Sequence, residues 1–244
     1  NALYGTANNG TSVPIILNNI PNPGLTWETT EQLNFGLDFG LLKDRITGTF
    51  DVYDKTTKDL LQNSPIPTSS GFSSLLINRG SISNKGLELG LNAAIISTPD
   101  FEINLGGNIA FNQTKIESLG IPLKDFSIDG ALQQRSFYFG NNISRGNIFK
   151  SPANVFVEGE ESSLFYGFET DGIYQTEDEV FTEGAVPGDV KIVDQNDDGV
   201  IDIYDRTFIG NPNPDFVYGF NLSMKYKGLS LTALFNGVQG NQIA

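Results

Sequence analysis

Apolar and polar residues alternate one by one along several stretches of this chain. Within residues 32–42 every second residue from 33 to 41 is apolar, and the residues at 32, 34, 36, 38 and 40 are polar or glycine. A period of two is typical of a β-strand with one apolar and one polar face. The short segment 43–45 then leads into a second alternating stretch, and two such stretches joined by a tight turn predict a β-hairpin.

The same unit occurs three times, so the pattern predicts six strands. They lie near residues 32–42, 45–56, 80–97, 101–114, 216–227 and 229–240. Short turns join the strands of each hairpin, whereas long connections, 57–80 and 115–215, separate the hairpins. The predicted strands exceed the usual length of about 5–6 residues, and they are long enough to cross a bilayer at a tilt.

Two fold interpretations fit this pattern. In the first, the chain is all-β and forms antiparallel strands of a large outer-membrane β-barrel, with an apolar face toward lipid, a polar face toward a wet lumen and long extracellular loops. Six strands cannot close a large barrel, so the chain would be a segment of one. In the second, the chain is a soluble or cell-surface β-sheet binding module, because the strands of sandwiches alternate too.

Composition excludes several kinds of function. The chain has 244 residues, 15 Lys and Arg against 29 Asp and Glu, a net charge of −14, and no His or Cys. It therefore lacks an imidazole base and the ordinary ligands of zinc, haem or iron–sulfur centres. A strongly acidic chain is a poor partner for nucleic acid. No catalytic residues are predicted, and a glycan-processing enzyme remains a weak alternative.

The acidic residues concentrate in one segment that contains a candidate metal site. Residues 158–205 hold fifteen Asp and Glu and one basic residue, Lys191. Within this segment the run 194–205 has the spacing of an EF-hand-type Ca²⁺ loop, with Gly199 at the sixth position. The predicted ligands are Asp194, Asn196, Asp198, the carbonyl of Val200, Asp202 and Asp205.

The role expected of this Ca²⁺ is structural. No amphipathic helix flanks the run, so it does not resemble a paired sensor, and an Asp at the last position is shorter than the usual Glu. The alternative is an Asp- and Asn-rich turn of the same shape whose carboxylates face water, since acidic runs are usually solvated surface.

Several segments together resemble one known family. They are 22–29 (NPGLTWET), 71–74 (GFSS), 78–88 (NRGSISNKGLE), 165–175 (FYGFETDGIYQ), and 187–221, which runs through the candidate Ca²⁺ loop and IGNPNPD to FVYGFN. In this order they resemble the C-terminal barrel portion of the SusC/RagA-family TonB-dependent outer-membrane transporters.

The resemblance implies a 22-stranded plugged barrel, integral to the bacterial outer membrane, that imports oligosaccharides or peptides. It also implies a SusD-like surface lipoprotein as a lid and the TonB complex as the energy source. The family's plug, TonB box and final strands find no match in residues 1–244, so neither the energy-coupling residues nor the substrate-binding residues can be assigned. The short turns would face the periplasm, and the loop 115–215 would lie outside and contact the lid or the substrate.

Overall fold

A computed structural model describes residues 4–6, 15–17, 20–140, 142–145, 149–180 and 184–243 of the chain. The secondary structure of these residues consists of β-strands and three one-turn 3-10 helices (Thr68–Ser70, Glu177–Glu179 and Ile203–Asp205), with no α-helix. No helix in the described part is long and apolar enough to cross a membrane.

The strands follow in chain order. They are β1 (Tyr4–Thr6), β2 (Ile15–Leu17), β3 (Thr29–Leu41), β4 (Ile46–Lys58), β5 (Leu61–Pro65), β6 (Ser74–Asn78), β7 (Ser81–Ser97), β8 (Phe101–Ser118), β9 (Lys124–Ile128), β10 (Ala131–Arg135), β11 (Phe137–Phe139), β12 (Asn142–Arg145), β13 (Phe149–Pro152), β14 (Asn154–Val157), β15 (Leu164–Phe168), β16 (Thr170–Ile173), β17 (Val190–Ile192), β18 (Arg206–Gly210), β19 (Phe216–Tyr226) and β20 (Leu229–Gln239).

The six long strands form one sheet. Its order is β20-β19-β8-β7-β4-β3, and every neighbouring pair is antiparallel. Each of these strands covers a stretch whose alternation predicts it, and the bounds differ by a few residues. The largest differences are at β3, which begins at Thr29, and at β8, which continues to Ser118.

The pairing register sorts the side chains of this sheet into two faces. Residues directly opposite each other in an antiparallel pair lie on the same face. Three continuous rows of apolar residues and glycine therefore cross all six strands on one face. The rows are Leu37–Phe50–Leu89–Ile109–Tyr218–Gly237, Phe39–Gly48–Leu91–Gly107–Phe220–Phe235 and Leu41–Ile46–Ala93–Leu105–Leu222–Ala233.

This apolar face is not covered by other parts of the described chain. Leu33 is 76% exposed and Phe35 64%, and most of the large apolar side chains in the outer strands of the sheet are also exposed. The chain has 16617 Å² of accessible surface, whereas a folded soluble monomer of 26.5 kDa has about 10,700 Å². A soluble sandwich would pack this face against a second sheet, whereas these side chains are exposed in the described part of the chain.

The water-excluding core lies in the connection between β8 and β19. All of the buried apolar side chains of the described residues fall between positions 116 and 174. The central cluster contains Phe126, Val155, Val157 and Tyr166, with Ile128, Phe137 and Phe208 packed against it. A four-stranded antiparallel sheet, ordered β11-β14-β15-β18, supports this cluster. Residues 115–215, which the sequence pattern predicts to be one long loop, thus contain a folded unit, which we call the β8–β19 module.

The other long connection, between β4 and β7, is also ordered. Strands β5 and β6 form a hairpin, and the side chain of Asn78 ties it to the segment before β3. The Asn78 amide donates to the carbonyls of Thr26 (2.9 Å) and Asp59 (2.8 Å), and its oxygen accepts from the Thr26 N–H (2.8 Å). Two of the segments that carry the family resemblance, 22–29 and 78–88, are therefore joined by hydrogen bonds.

We expect the β8–β19 module to depend on Phe126, which is 2% exposed and stacks on Tyr166 with ring centroids 4.7 Å apart. Replacing Phe126 with alanine should destabilise the module by about 3–5 kcal/mol, because it removes an aromatic ring from a packed cluster. Hydrogen exchange should show faster exchange in β14 and β15 and unchanged protection in β7 and β8.

The matched control for this experiment is Val190→Ala, because Val190 is exposed and belongs to the same connection. Its exchange pattern should equal that of the unmodified chain. Loss of protection in β7 and β8 of the Phe126 variant would contradict a core that is separate from the six-stranded sheet.

Candidate functional site

Aromatic side chains mark both ends of the apolar face. At the short-turn end Phe101 packs edge-on against Tyr226 at 5.9 Å. At the other end Phe111, Phe216 and Tyr218 form a chain of ring contacts, with centroids 5.6 and 6.0 Å apart. Ten residues of β8 separate the two groups, which is about 34 Å along the strand. At a strand tilt of about 45° the groups are roughly 24 Å apart in height, which matches the apolar band of a membrane barrel of about 25 Å.

A row of polar residues ends the apolar face at the long-connection end. Asp54, Lys85 and Gln113 lie side by side across β4, β7 and β8, one row beyond Phe111. Lys85 forms an ion pair with Asp54 at 2.9 Å, and Gln113 donates to the Glu161 carboxylate at 2.9 Å. The change from aromatic to charged side chains within two residues gives this surface a sharp boundary.

The opposite face of the sheet is polar, and glycines make room for its amide side chains. A Cβ atom at Gly106 would lie 2.6 Å from the side chains of Asn92 and Asn221 on the neighbouring strands. One at Gly219 would lie 2.5 Å from that of Asn108. Since real Cβ atoms do not approach so closely, these positions accept only glycine without rearrangement. The polar face of the sheet therefore presents mainly amide, hydroxyl and carboxyl groups.

Two adjacent glutamates hold the β8–β19 module to the sheet. The Ile116 N–H donates to the Glu160 carbonyl at 2.9 Å, and Lys115 forms a β-bridge with Glu161. The Glu160 carboxylate pairs with Arg135 in the module. The Glu161 carboxylate accepts from Asn211 at 2.6 Å, just where the chain returns to β19. These contacts attach the start and the end of the module to the sheet, next to the polar row of β4, β7 and β8.

The predicted Ca²⁺ loop adopts a compact conformation held by its own side chains. Asp194 accepts from the N–H groups of Gly199 (2.7 Å) and Asp198 (3.3 Å). Asn196 accepts from the Asp198 N–H (3.1 Å), and its amide donates to the Asp198 carboxylate (2.9 Å). Gly199 has a φ of +81°, the left-handed conformation that the sharp turn requires. The structure thus brings the first three predicted ligands together.

The last predicted ligands lie on the other side of the loop. Val200 is exposed, and its N–H donates to the Asp198 carboxylate at 2.8 Å. Asp202 caps the 3-10 helix by accepting from the Tyr204 N–H at 2.8 Å. Asp205 is fully buried and accepts from the N–H groups of Gln195 (2.9 Å) and Asp202 (2.7 Å), so it closes the loop through the backbone.

The hydrogen bonds within the loop involve the same oxygen atoms that would bind a metal ion. In the described part of the chain no three acidic side chains are grouped so as to hold an ion. The oxygen donors of Asp194, Asn196 and Asp198 suit Ca²⁺, but each already accepts a backbone or amide hydrogen. The structural role of Ca²⁺ therefore stays a prediction.

The loop is fixed against the module by a close backbone contact. Gly130, in the turn between β9 and β10, has a φ of +71°, and a Cβ there would lie 2.2 Å from the Gln195 carbonyl oxygen. The Ser127 hydroxyl donates to the Tyr204 carbonyl beside it. This contact is not predictable from the sequence, because nothing near Gly130 indicates a partner sixty-five positions away.

Tyr166, one of two buried tyrosines among the described residues of the module, stays protonated at physiological pH. Burial raises the pKa of the Tyr166 phenol to about 12, and the nearby Arg206 opposes this only in part. The phenol donates to the Ser127 carbonyl at 2.8 Å. Ser127, in β9, thereby links the core cluster to the candidate Ca²⁺ loop, because its carbonyl accepts from Tyr166 and its hydroxyl donates to the Tyr204 carbonyl.

The β16–β17 pair and the segment before β17 present apolar side chains within the acidic part of the module. Ile173, Val186 and Val190 are about half exposed. The basic residue of this acidic segment, Lys191, pairs with Asp171 at 2.9 Å, and this hydrogen bond and charge raise the pKa of its ammonium. An exposed apolar patch in an acidic rim is typical of a surface that contacts another protein.

The chain matches the family model described as "TonB dependent receptor-like, beta-barrel" over residues 1–237. It is 34% identical over 236 residues to TonB-dependent receptor P3 of Formosa agariphila, covering 94% of this chain and 22% of that protein. It is 35% identical over 213 residues to TonB-dependent receptor SusC of Bacteroides thetaiotaomicron, covering 86% of this chain and 19% of that protein.

Solved structures agree with these sequence matches. The RagAB peptide transporter superposes with a TM-score of 0.70 at 26% identity, covering 98% of this chain and 24% of that chain. The same importer in its "open-open" state gives a TM-score of 0.65. The chain therefore spans about a fifth to a quarter of the length of the proteins it matches.

We expect Ca²⁺ to bind the loop 194–205 and to slow hydrogen exchange there, because the spacing supplies oxygen ligands on alternate residues. Asp194→Asn and Asp198→Asn should each weaken binding at least tenfold by removing a charged ligand, as measured by isothermal titration with Ca²⁺. Asp171→Asn, which removes the same charge from the same acidic segment outside the loop, should leave the affinity unchanged. Equal loss in all three variants, or no Ca²⁺-dependent protection in the unmodified chain, would contradict the site.

Proposed function

The chain belongs to the TonB-dependent receptor β-barrel family, and we propose that its parent protein imports an oligosaccharide or peptide nutrient across the bacterial outer membrane. The chain is a SusC/RagA-type segment of an integral outer-membrane β-barrel. Members of this family are transporters and not enzymes. Import by the whole protein would draw energy from the TonB complex and use a SusD-like surface lipoprotein as a lid.

The observation that carries this proposal is the two-sided sheet. Its apolar face is open along six strands, while the core of the chain lies elsewhere. A sheet of this kind is stable only where lipid meets one face and water or polar protein meets the other. The polar face then becomes the wall of a passage.

The polar face also supports the substrate class. The part of this face considered lies between two rows of paired residues that cross the sheet, one containing Asn34 and the other Asn104. In this part the described strands carry three acidic residues, Asp38, Asp51 and Glu88, and no Lys or Arg. Its other polar groups are amides and hydroxyls, which hydrogen-bond sugars and peptide groups. Such a wall favours neutral or cationic solutes over polyanions. That RagAB is a peptide transporter agrees with this class.

We assign the short turns to the periplasmic side and the β8–β19 module to the outside. Barrels of the outer membrane have short periplasmic turns and long outer loops, and here the three short turns lie at one end of the sheet. The acidic surface around Ile173 and Val190 would then face the lipoprotein lid. A partner with basic and apolar groups fits such a surface.

Cells that depend on this protein provide the test. Deleting its gene should abolish uptake of either fluorescent oligosaccharides or fluorescent peptides, and the full-length protein should restore it. The double variant Ile173→Asp and Val190→Asp should reduce the lipoprotein that co-purifies with it at least fivefold, because two new charges would be buried at the contact.

The matched control is Leu42→Asp, which places a carboxylate on an exposed leucine of a short turn at the opposite end of the sheet. Co-purification should be unchanged in this variant. Normal uptake of both solute classes after gene deletion would overturn the import function. Equal loss of the lipoprotein in both variants would overturn the assignment of the module to the lid side.

A further inference from the structure

A cavity lies on the polar face of the sheet, where the pairing of β8 with β19 ends. Its volume is about 380 Å³, near the lower end of the roughly 300–1,000 Å³ that is usual for ligand sites, so it suits one group of a longer ligand. Tyr53 and Asn112 line it, and Asn112 follows Phe111 of the outer aromatic group directly. This cavity, which we call the Tyr53 cavity, therefore lies at the outer end of the proposed passage.

The ring of Tyr53 lies along the sheet instead of projecting from it. Its Cζ and Oη atoms are 2.3 Å from the position that a Cβ atom would take at Gly86, the residue opposite on β7. The ring thus crosses β7 above a glycine that leaves room for it. The part of the ring that faces away from Gly86 borders the cavity, and a tyrosine ring attracts a cation placed over its face.

Glu88 brings a carboxylate to the same cavity. It lies directly opposite Asp51 on β4, and like charges in opposed positions destabilise a sheet. The Asp51 side chain turns toward β3, where a Cβ atom at Gly36 would lie 2.6 Å from its Oδ1 atom, while Glu88 stays at the cavity.

The charge of Glu88 is not neutralised by the described chain. Neither Glu88 nor Asp51 forms an ion pair with a described residue. Lys55, a cation on the same face of β4, lies about 14 Å further along the strand than Asp51. A bound cation would offset the repulsion between the two carboxylates, whereas a neutral sugar would not.

The side of the cavity formed by β8 and β19 is apolar. The row that contains Asp51 and Glu88 continues into Ala110 and Val217, and both of these residues line the cavity. A lysine or arginine side chain has the matching chemistry, because its methylene stem packs on apolar surface while its charged end keeps polar partners. The cavity thus offers a stem contact at Val217 and a charge contact at Glu88.

Two asparagines that line the cavity offer one donor and one acceptor. The Asn112 oxygen accepts from Asn84 at 2.8 Å, and its NH₂ group has no acceptor among the described residues. Asn213 donates to the Ser162 carbonyl (2.8 Å) and to Asn211 (2.9 Å), and its oxygen accepts from no described side chain or N–H. The free donor and the free acceptor match the C=O and the N–H of a peptide group.

We propose that the Tyr53 cavity binds the basic side chain, lysine or arginine, of a peptide at the outer end of the passage. The cationic group contacts the Glu88 carboxylate and the Tyr53 ring, the stem lies on Val217, and the adjoining peptide group bonds to Asn112 and Asn213. The proposal rests on the import function proposed above and deepens it, because it selects peptides with basic residues from the two nutrient classes.

Titration calorimetry of the full-length protein with capped peptides tests the site. The probes are alanine heptapeptides, acetylated and amidated, that carry Lys, Gln or Glu at the central position. The unmodified protein should bind the lysine peptide about tenfold more tightly than the glutamine peptide, and the glutamate peptide least. Glu88→Gln should remove this preference, as expected for loss of one charge-assisted hydrogen bond. Glu102→Gln makes the same change on the same face of β8, at the short-turn end, and should leave the preference unchanged.

A second pair of variants tests the aromatic contact. Tyr53→Leu removes the ring and should weaken binding of the lysine peptide about fivefold, and that of the glutamine peptide much less, because only the cation interacts with the ring electrostatically. Tyr53→Phe keeps the ring and should bind both peptides as the unmodified protein does. Since both variants lack the hydroxyl, a role of the hydroxyl alone would affect them equally.

Three results would overturn the site. The first is equal affinity of the unmodified protein for the lysine and glutamine peptides, which is expected if another part of the full-length protein fills the cavity. The second is an equal effect within either pair of variants. The third is failure of all three peptides to bind, including the case in which a neutral oligosaccharide such as cellohexaose binds instead.

Uptake of the same peptides by cells separates this proposal from the import function. Uptake that needs the gene but shows no preference for the lysine peptide would overturn the site alone. Uptake of peptides and oligosaccharides that continues unchanged after deletion of the gene would overturn the import function, whatever the calorimetry shows.

Discussion

The antiparallel register of six long strands is the constraint on which the rest of this structure depends. Because opposed residues share a face, the register gathers the alternating apolar residues of each strand into rows such as Leu37–Phe50–Leu89 on one side. The same register gathers Asn, Asp, Thr and Gly on the other side. A shift of one residue in any strand would exchange its faces, and the two surroundings of the sheet make such a shift costly.

Lipid on one face of the sheet and a polar interior on the other also explain where the buried core of the chain lies. Since lipid covers the apolar face, the sheet needs no packed layer of its own, and the chain keeps its buried cluster for the β8–β19 module. There Phe126, Val155 and Tyr166 form a small soluble-type core outside the band. Glu160 and Glu161 join this core to the sheet at the boundary row. The molecule thus combines a lipid-solvated part with a water-solvated part.

The sequence predicts these two parts unequally. Strands such as β3 and β8 are predictable because thirteen and eighteen residues give alternation enough length to stand out. The module is not, because most of its strands have three to five residues and the pairings of its central sheet, β11 with β14 and β15 with β18, join distant positions. The candidate Ca²⁺ loop lies between these cases. The left-handed turn at Gly199 follows from spacing, whereas the burial of Asp205 and its bonds to Gln195 and Asp202 depend on packing. Nothing in the sequence near Glu161 indicates its amide partners.

Depth measurements along β3 test the central claim, that the two faces of the sheet meet lipid and a polar interior. The chain contains no cysteine, so residues 33–41 of the full-length protein, in a background without other reactive cysteines, can each be replaced by cysteine, labelled with a fluorophore and reconstituted with nitroxide lipids. Our account predicts strong quenching at the odd positions, on the side of Leu33 and Phe35, and weak quenching at the even positions. Quenching that ignores this alternation, or that is strong at the even positions alone, would contradict it.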